Sequence, residues 1–228
     1  MWSKTKARSA CVIAPYRHWS RQPCIPRGRQ YWTLAGSYDR VGPDSEIGQL
    51  VSCGVITEGQ YHGCERDPRA FSATRCALRT AYPAASLYRA DLALAMTSAY
   101  ARGTLRPEIV HVDTTSEPKG VADLLERVLD VCNHVSGPTF LAVNAIARNP
   151  QRRKVYDGDE FMSVLGTRSV RLLLGAGAWR QPTIGDGANA VSYPGNDGKS
   201  DFTMLTVFFA RGARGKVLRR GDEENGDP

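Results

Sequence analysis

Short apolar runs rich in β-branched and aromatic residues alternate with stretches of helical periodicity from residue 31 to residue 143. The strand-like runs are Tyr31–Ala35, Gln60–Cys64, Ala85–Tyr88, Glu108–Asp113 and Thr139–Val143. Between them Ile47, Leu50, Val51 and Val55 recur at helical spacing, then Phe71, Cys76, Leu78 and Ala81, then Leu92–Ala101, then Val121, Leu124, Leu125, Val128, Leu129 and Cys132. Parallel strands need a crossover, and a helix is the usual one. The alternation therefore predicts a Rossmann-like, doubly wound α/β domain, a mostly parallel sheet with helices on both faces. Ile109–Val112 is nearly continuous in apolar character, as a strand covered on both faces must be.

Local signals mark the boundaries. Ser45 offers an N-cap and Gly54 ends the first helix; Pro68 suits the first turn of the second and Pro83 ends it. Gly103 closes the third helix and Gly137-Pro138 breaks the fourth. Beyond Asn144 come a basic loop, Arg148–Lys154, a short helix near Gly158–Leu165 and a sixth strand, Val170–Leu174. Residues 175–200 hold six glycines and two prolines, with a short strand candidate at Ala190–Tyr193. Phe202–Phe209 is the seventh strand. No helical pattern separates the last two strands, so they are expected to pair antiparallel.

Charge is segregated. Residues 1–30 contain Lys4, Lys6, Arg8, Arg17, Arg21, Arg27 and Arg29 and no acid, while the other 198 residues carry 23 basic and 23 acidic side chains. The basic balance belongs to an N-terminal arm, 1–29, and the domain 30–211 is close to neutral. The arm reads either as a solvated, disordered tail or as a contact for nucleic acid or acidic lipid; its lack of acids also fits a transit peptide. The Gly/Arg-rich and then acidic end, 212–228, reads as a disordered tail. No run approaches the ~20 apolar residues of a membrane helix, so no membrane partner is expected. The six cysteines include no C-x-x-C pair. That excludes a zinc site and suits buried thiols in a reducing cytoplasm.

Ligands of such a sheet bind beyond the carboxyl ends of the strands, where strand order reverses. The residues expected there are Gly36, Glu65, Asp91, Asp113 and Asn144. Singly, each has a structural use: Asp91 can cap the next helix and Asn144 can cap or turn. Together they offer a row of ligand-binding groups. The dinucleotide fingerprint G-x-G-x-x-G and the Walker A pattern are absent, and Tyr38, Asp39 and Arg40 fill the loop between Gly36 and Gly42. A pyrophosphate cradle needs exposed amides without such bulk. A ligand without phosphates fits better. His111 and His62 read as packed core histidines. Arg148–Lys154 with Tyr156 could hold a polyanion or be a solvated loop, and Trp179 and Tyr193 could form a stacking lid or pack the long loop down.

LAG at Leu34–Gly36, HGCERD at His62–Asp67, RADL at Arg89–Leu92, VHVDTT at Val110–Thr115 and TMLTVFFAR at Thr203–Arg211 occur in that order. On these motifs, residues 30–210 resemble the class I S-adenosylmethionine-dependent methyltransferases, most of all small phage and bacterial proteins of that type. The resemblance implies a seven-stranded sheet of order 3-2-1-4-5-7-6 with strand seven antiparallel, and S-adenosyl-L-methionine as cofactor. It places Gly36 and Ser37 against the methionine part, Glu65 on the ribose and Asp91 near adenine. Asp113 and Thr114 would face the methyl group, with Thr115, Arg152, Arg153 and Lys154 toward the substrate. The chain has Asp113-Thr114-Thr115-Ser116 where DNA amino-methyltransferases carry Asp/Asn-Pro-Pro-Tyr/Phe, and no Pro-Cys ends strand four. Base amino-methylation and cytosine C5 chemistry are therefore not expected. The rival expectation is a non-catalytic nucleic-acid-binding protein on a degenerate form of this fold.

Overall fold

The computed structural model describes residues 13, 30–35, 41–43, 45–114, 118–135, 139–149, 154–155, 179–180, 188–194 and 201–211. Five strands run parallel: β1 (Gln30–Leu34), β2 (Tyr61–Cys64), β3 (Ser86–Tyr88), β4 (Pro107–Asp113) and β5 (Thr139–Asn149). Their order is β3-β2-β1-β4-β5, so the direction of winding reverses between β1 and β4. The crossovers are α1 (Glu46–Ser52), α2 (Pro68–Ala81), α3 (Leu92–Ala101) and α4 (Pro118–His134), and a single 3-10 turn, Glu58–Gln60, leads into β2.

Side chains leave a strand on alternate faces, so β1 and β4 feed two cores. Trp32, Val110 and Val112, with Leu141 and Val143 of β5, pack under α3 and α4 with Met96, Leu125, Val128 and Leu129. On the other face Tyr31, Ile109, Phe140 and Ala142 pack under α1 and α2 with Ile47, Leu50 and Leu78. Each fully buried side chain of this size contributes roughly 1.5–3 kcal/mol. Ile13 joins the second core at 3 % exposure; it is the one described residue of the expected arm 1–29.

The helix starts follow their local chemistry. The Ser45 side chain accepts from Gly48 N–H at 3.1 Å and donates to Gly42 O at 2.6 Å. A Cβ on Gly48 would lie 2.1 Å from Gly42 O, so this helix can seat on the Gly42–Pro43 loop only through a glycine. Asp67 caps α2 through Ala70 N–H at 2.8 Å. The α2 face differs from the expected one. Thr74 and Leu78 are buried and Phe71 is half-buried, whereas Cys76 and Ala81 are exposed. Positions 71, 74 and 78 share a helical stripe, and 76 projects from its side.

Beyond β5 the sheet turns antiparallel. β9 (Asp201–Arg211) pairs with β5 over Thr139–Arg148, as expected of the last strand. The outer edge of β9 carries β7 (Trp179–Arg180) and β8 (Ala188–Pro194), both antiparallel. The described sheet thus holds nine strands, not seven. The edge expected for Val170–Leu174 is taken by β8, since the glycine-rich stretch supplies its own β-prone segment, Ala190–Tyr193. Val170–Leu174, Gly158–Leu165 and the tail 212–228 lie outside the described residues. Trp179 and Tyr193 stand in these edge strands rather than in a loop.

The basic loop is also different. β5 runs on to Asn149 and β6 (Lys154–Val155) folds back on it, Arg148 opposite Val155 and Asn149 opposite Lys154. Arg148, Asn149 and Lys154 of the expected loop are therefore held in ladder positions, and residues 150–153 lie outside the described residues. Among the described residues no helix is long and apolar enough to cross a membrane.

Candidate functional site at the carboxyl edge of the sheet

The carboxyl ends of β1, β2 and β3 are tied side by side. Ala35 N–H donates to Cys64 O at 2.8 Å, and Glu65 N–H donates to Tyr88 O at 3.0 Å. Asp113 ends β4 and stands in register with Asn144 of β5. One edge of the sheet therefore presents Glu65, the Arg89–Asp91 turn, Asp113 and Asn144, with the reversal of winding between β1 and β4. This is where an open α/β sheet leaves a crevice.

The expected residues have distinct surroundings. Glu65 Oε1 accepts from Asp67 N–H at 2.8 Å, which orients its carboxylate at the mouth of the β2–α2 turn. Asp91 uses both oxygens: Oδ1 accepts from Leu94 N–H and caps α3, and Oδ2 accepts from Arg127 Nη1, each at 2.8 Å. Burial pushes the Asp91 carboxyl up, but the Arg127 guanidinium and the Leu94 amide outweigh it and hold the group below its ordinary range. The Thr114 hydroxyl donates to Asn144 O at 3.3 Å, binding the ends of β4 and β5 together. Gly36, Ser37, Thr115, Arg152 and Arg153 lie outside the described residues; Lys154 is described only as a position in β6.

A larger polar cluster lies directly behind Asp113, and sequence reading passed over most of it. Glu46, first residue of α1, reaches back over the sheet and is 3 % exposed. Its carboxylate accepts from Tyr31 Oη at 2.5 Å and lies 2.7 Å from His111 Nδ1, with Thr33 Oγ1 at 3.3 and 3.4 Å. His111 Nε2 is 2.8 Å from Asn144 Nδ2, and that nitrogen is 3.1 Å from Asp113 Oδ1. A carboxylate only accepts, so its partners are the donors, and Tyr31 Oη also lies 3.0 Å from His111 Nδ1. Asn144 turns its amide nitrogen to Asp113 and gives its other hydrogen to His111 Nε2. His111 therefore carries its proton on Nδ1 and donates to Glu46. Burial, and then the neighbouring Glu46 charge, raises the Tyr31 phenol well above its ordinary range, so it stays a donor.

Tyr31, Thr33, His111, Asp113 and Asn144 occupy alternate positions of three adjacent strands and so share one sheet face. The available signal was polar residues of matching parity inside otherwise apolar strands. His111 is a buried histidine, as expected of a core position, yet it is hydrogen-bonded at both ring nitrogens rather than simply packed.

On the opposite face a ring stack crosses β1, β2 and β3. Trp32 and His62 lie with centroids 4.6 Å apart, and Trp32 and Tyr88 5.2 Å apart. His62 Nδ1 meets Tyr88 Oη at 2.9 Å, and burial lowers the His62 imidazole to about 4. Burial, then the Asp91 charge, pushes the Cys64 thiol far up, so it is an inert core group. No cluster of metal-ligating side chains occurs among the described residues.

No family model and no curated protein matches the chain. Solved structures similar to it include a Pyrococcus horikoshii protein provisionally designated an RNA methyltransferase, with TM-score 0.46 and 11 % identity over 90 % of this chain and 83 % of that one. An O-methyltransferase from Bacillus cereus in complex with SAH gives 0.43 and 11 %, over 89 % and 96 %. TomG, an O-methyltransferase from Streptomyces achromogenes involved in tomaymycin synthesis and solved with SAM, gives 0.42 and 15 %, over 90 % and 91 %.

Proposed function

We propose that the protein transfers a methyl group from S-adenosyl-L-methionine to an acceptor that is a nucleic acid or another polyanion. The observation that carries this reading is the row of carboxylates, Glu65, Asp91 and Asp113, along the carboxyl edge that flanks the β1/β4 reversal. Carboxylates at these strand ends suit a cofactor that offers hydroxyls and an amine and carries no phosphate, whereas a polyanionic acceptor would be met by the basic run Arg148–Lys154. The absence of any phosphate-binding fingerprint from the sequence points the same way. The antiparallel β9 beside β5 is also what the motif resemblance leads one to expect.

In this reading Gly36 and Ser37 lie against the methionine part of the cofactor, and Glu65 accepts from the ribose hydroxyls. Asp91, with both oxygens engaged, holds the start of α3 at the adenine end. When bound, the cofactor supplies a methyl carbon on a sulfonium, a leaving group that needs no acid. The chain's own tasks are to hold the acceptor in line and to take its proton. In this reading Asp113 receives that proton and Thr114 stands next to it. On the same reading Thr115, Arg152, Arg153 and Lys154 would serve to bind the substrate. We place the protein in the cytoplasm of a bacterium or a phage-infected bacterium. The thiols of Cys64 and Cys76, which form no disulfide, support a reducing compartment.

A second reading, a non-catalytic nucleic-acid-binding protein on the same fold, is favoured by one observation: all the excess positive charge lies in residues 1–30. Calorimetric titration of the full chain with S-adenosyl-L-methionine and S-adenosylhomocysteine separates the two. The enzyme binds both, and Glu65→Gln weakens binding by about ten- to a hundred-fold. A wild-type chain that binds neither favours the second reading.

A further inference from the structure

Asp113 is held from behind by groups that no cofactor or acceptor needs to touch. Its Oδ1 takes a hydrogen from Asn144 Nδ2, whose other hydrogen points at His111 Nε2. His111 in turn is fixed through Nδ1 to Glu46, which Tyr31 and Thr33 also clamp. The run starts on groups at 0–7 % exposure and ends on the half-buried Asp113. A carboxylate at each end can only accept, which directs the His111 and Asn144 hydrogens outward along the run, and the Tyr31 hydroxyl lies 3.0 Å from His111 Nδ1 as well. Among the described residues the cluster bonds Asp113 through Oδ1, and Asp113 itself is half-buried at the end of β4.

We propose that Glu46, His111 and Asn144 are positioning residues that fix the Asp113 carboxylate for proton removal from the methyl acceptor. The inference rests on the methyl-transfer reading only for what Asp113 meets; the orientation of Asp113 stands on the geometry. The amide of Asn144 does not pass protons along, so the run acts by aiming one oxygen and not as a proton wire. Its energetic logic is that of a buried network: satisfied throughout it is rigid, and one missing partner loosens the rest.

The test uses the full chain labelled with carbon-13 and nitrogen-15. The ring nitrogens of His111 are expected to show a neutral ring protonated at Nδ1. Glu46→Gln, chosen to keep volume, should shift the Asn144 side-chain amide and the Asp113 carboxyl carbon, although Glu46 touches neither. Asn144→Leu should move the Asp113 resonance in the same way, and serves if Glu46→Gln does not fold. Unmoved Asp113 resonances in a folded variant, or a ring protonated at Nε2, overturn the proposal. In parallel, S-adenosyl-L-methionine affinity should stay within about two-fold of wild type in Asn144→Leu, while kcat falls about ten- to a hundred-fold. Combined with Asp113→Asn it should fall no further, because the two act as one unit. Additive losses overturn the proposal. A wild type that neither binds the cofactor nor turns it over defeats the methyl-transfer reading, and the resonance measurements still decide the positioning.

Discussion

Glu46 Oε1 lies 2.7 Å from His111 Nδ1 across 65 positions of sequence, with both side chains withdrawn from water. The contact joins the first crossover helix to the central strand β4, directly behind the residue that faces the crevice. Its cost and its worth are both large. A carboxylate at this depth must be paired or hydrogen-bonded, and here the hydroxyls of Tyr31 and Thr33 also donate to it.

Removing the carboxylate leaves three buried groups without their common acceptor. Glu46→Ala should therefore destabilise the protein by about 3–5 kcal/mol. Glu46→Gln keeps an acceptor oxygen and should cost about 1–3 kcal/mol. Urea unfolding followed by circular dichroism reads both. Equal, small losses would mean that the cluster is solvated in solution.

His62 gives the fold an acid-sensitive point. Its imidazole is lowered to about 4 in the folded state, against roughly 6.5 in the unfolded chain. Between these values the unfolded state binds the extra proton, so stability is complete above about pH 6.5 and is lost as the pH falls toward 4. The loss from this residue should approach about 3 kcal/mol. His62→Phe keeps a ring against Trp32 and Tyr88 and should remove that part of the slope. Denaturant midpoints from pH 4 to 7 for the two proteins test it, and parallel curves would exclude His62 as the source.

Ile13 ties the N-terminal segment to the domain. It is 3 % exposed and packs with Tyr31, Ile47 and Leu50 in the core under α1 and α2. Ile13→Ala should cost about 2–5 kcal/mol, and deletion of residues 1–28 should cost at least as much. A truncated chain with an unchanged melting temperature would show that Ile13 does not pack there in solution.

Asp113 and Glu65 should part ways kinetically if the methyl-transfer reading holds. Asp113→Asn should lower kcat by about a hundred-fold with little change in cofactor affinity, whereas Glu65→Gln should raise the Kd for the cofactor. Stopped assays of S-adenosylhomocysteine release, run beside calorimetry, resolve the two effects. Equal loss of affinity in both variants would place Asp113 on the cofactor.

Local chemistry was legible in the chain. The short apolar runs Tyr31–Ala35 and Glu108–Asp113 and the helical recurrence of Val121, Leu125, Val128 and Cys132 were enough to identify strands and helices. The caps at Ser45 and Asp91 followed from their hydrogen-bonding side chains, and the antiparallel last strand from the missing crossover helix. These features depend on residues a few positions apart, so the sequence determined them alone. What only the tertiary structure decided is whatever depends on which strand lies beside which. Tyr31, Glu46, His111 and Asn144 share no local pattern. They meet because β1, β4 and β5 are neighbours in a register that sets Thr33 against His111 and Asp113 against Asn144. The edge beyond β9 was settled in the same way, by pairing: β8 could satisfy the backbone groups of an open strand edge, and no periodicity along the chain states which segment will do so.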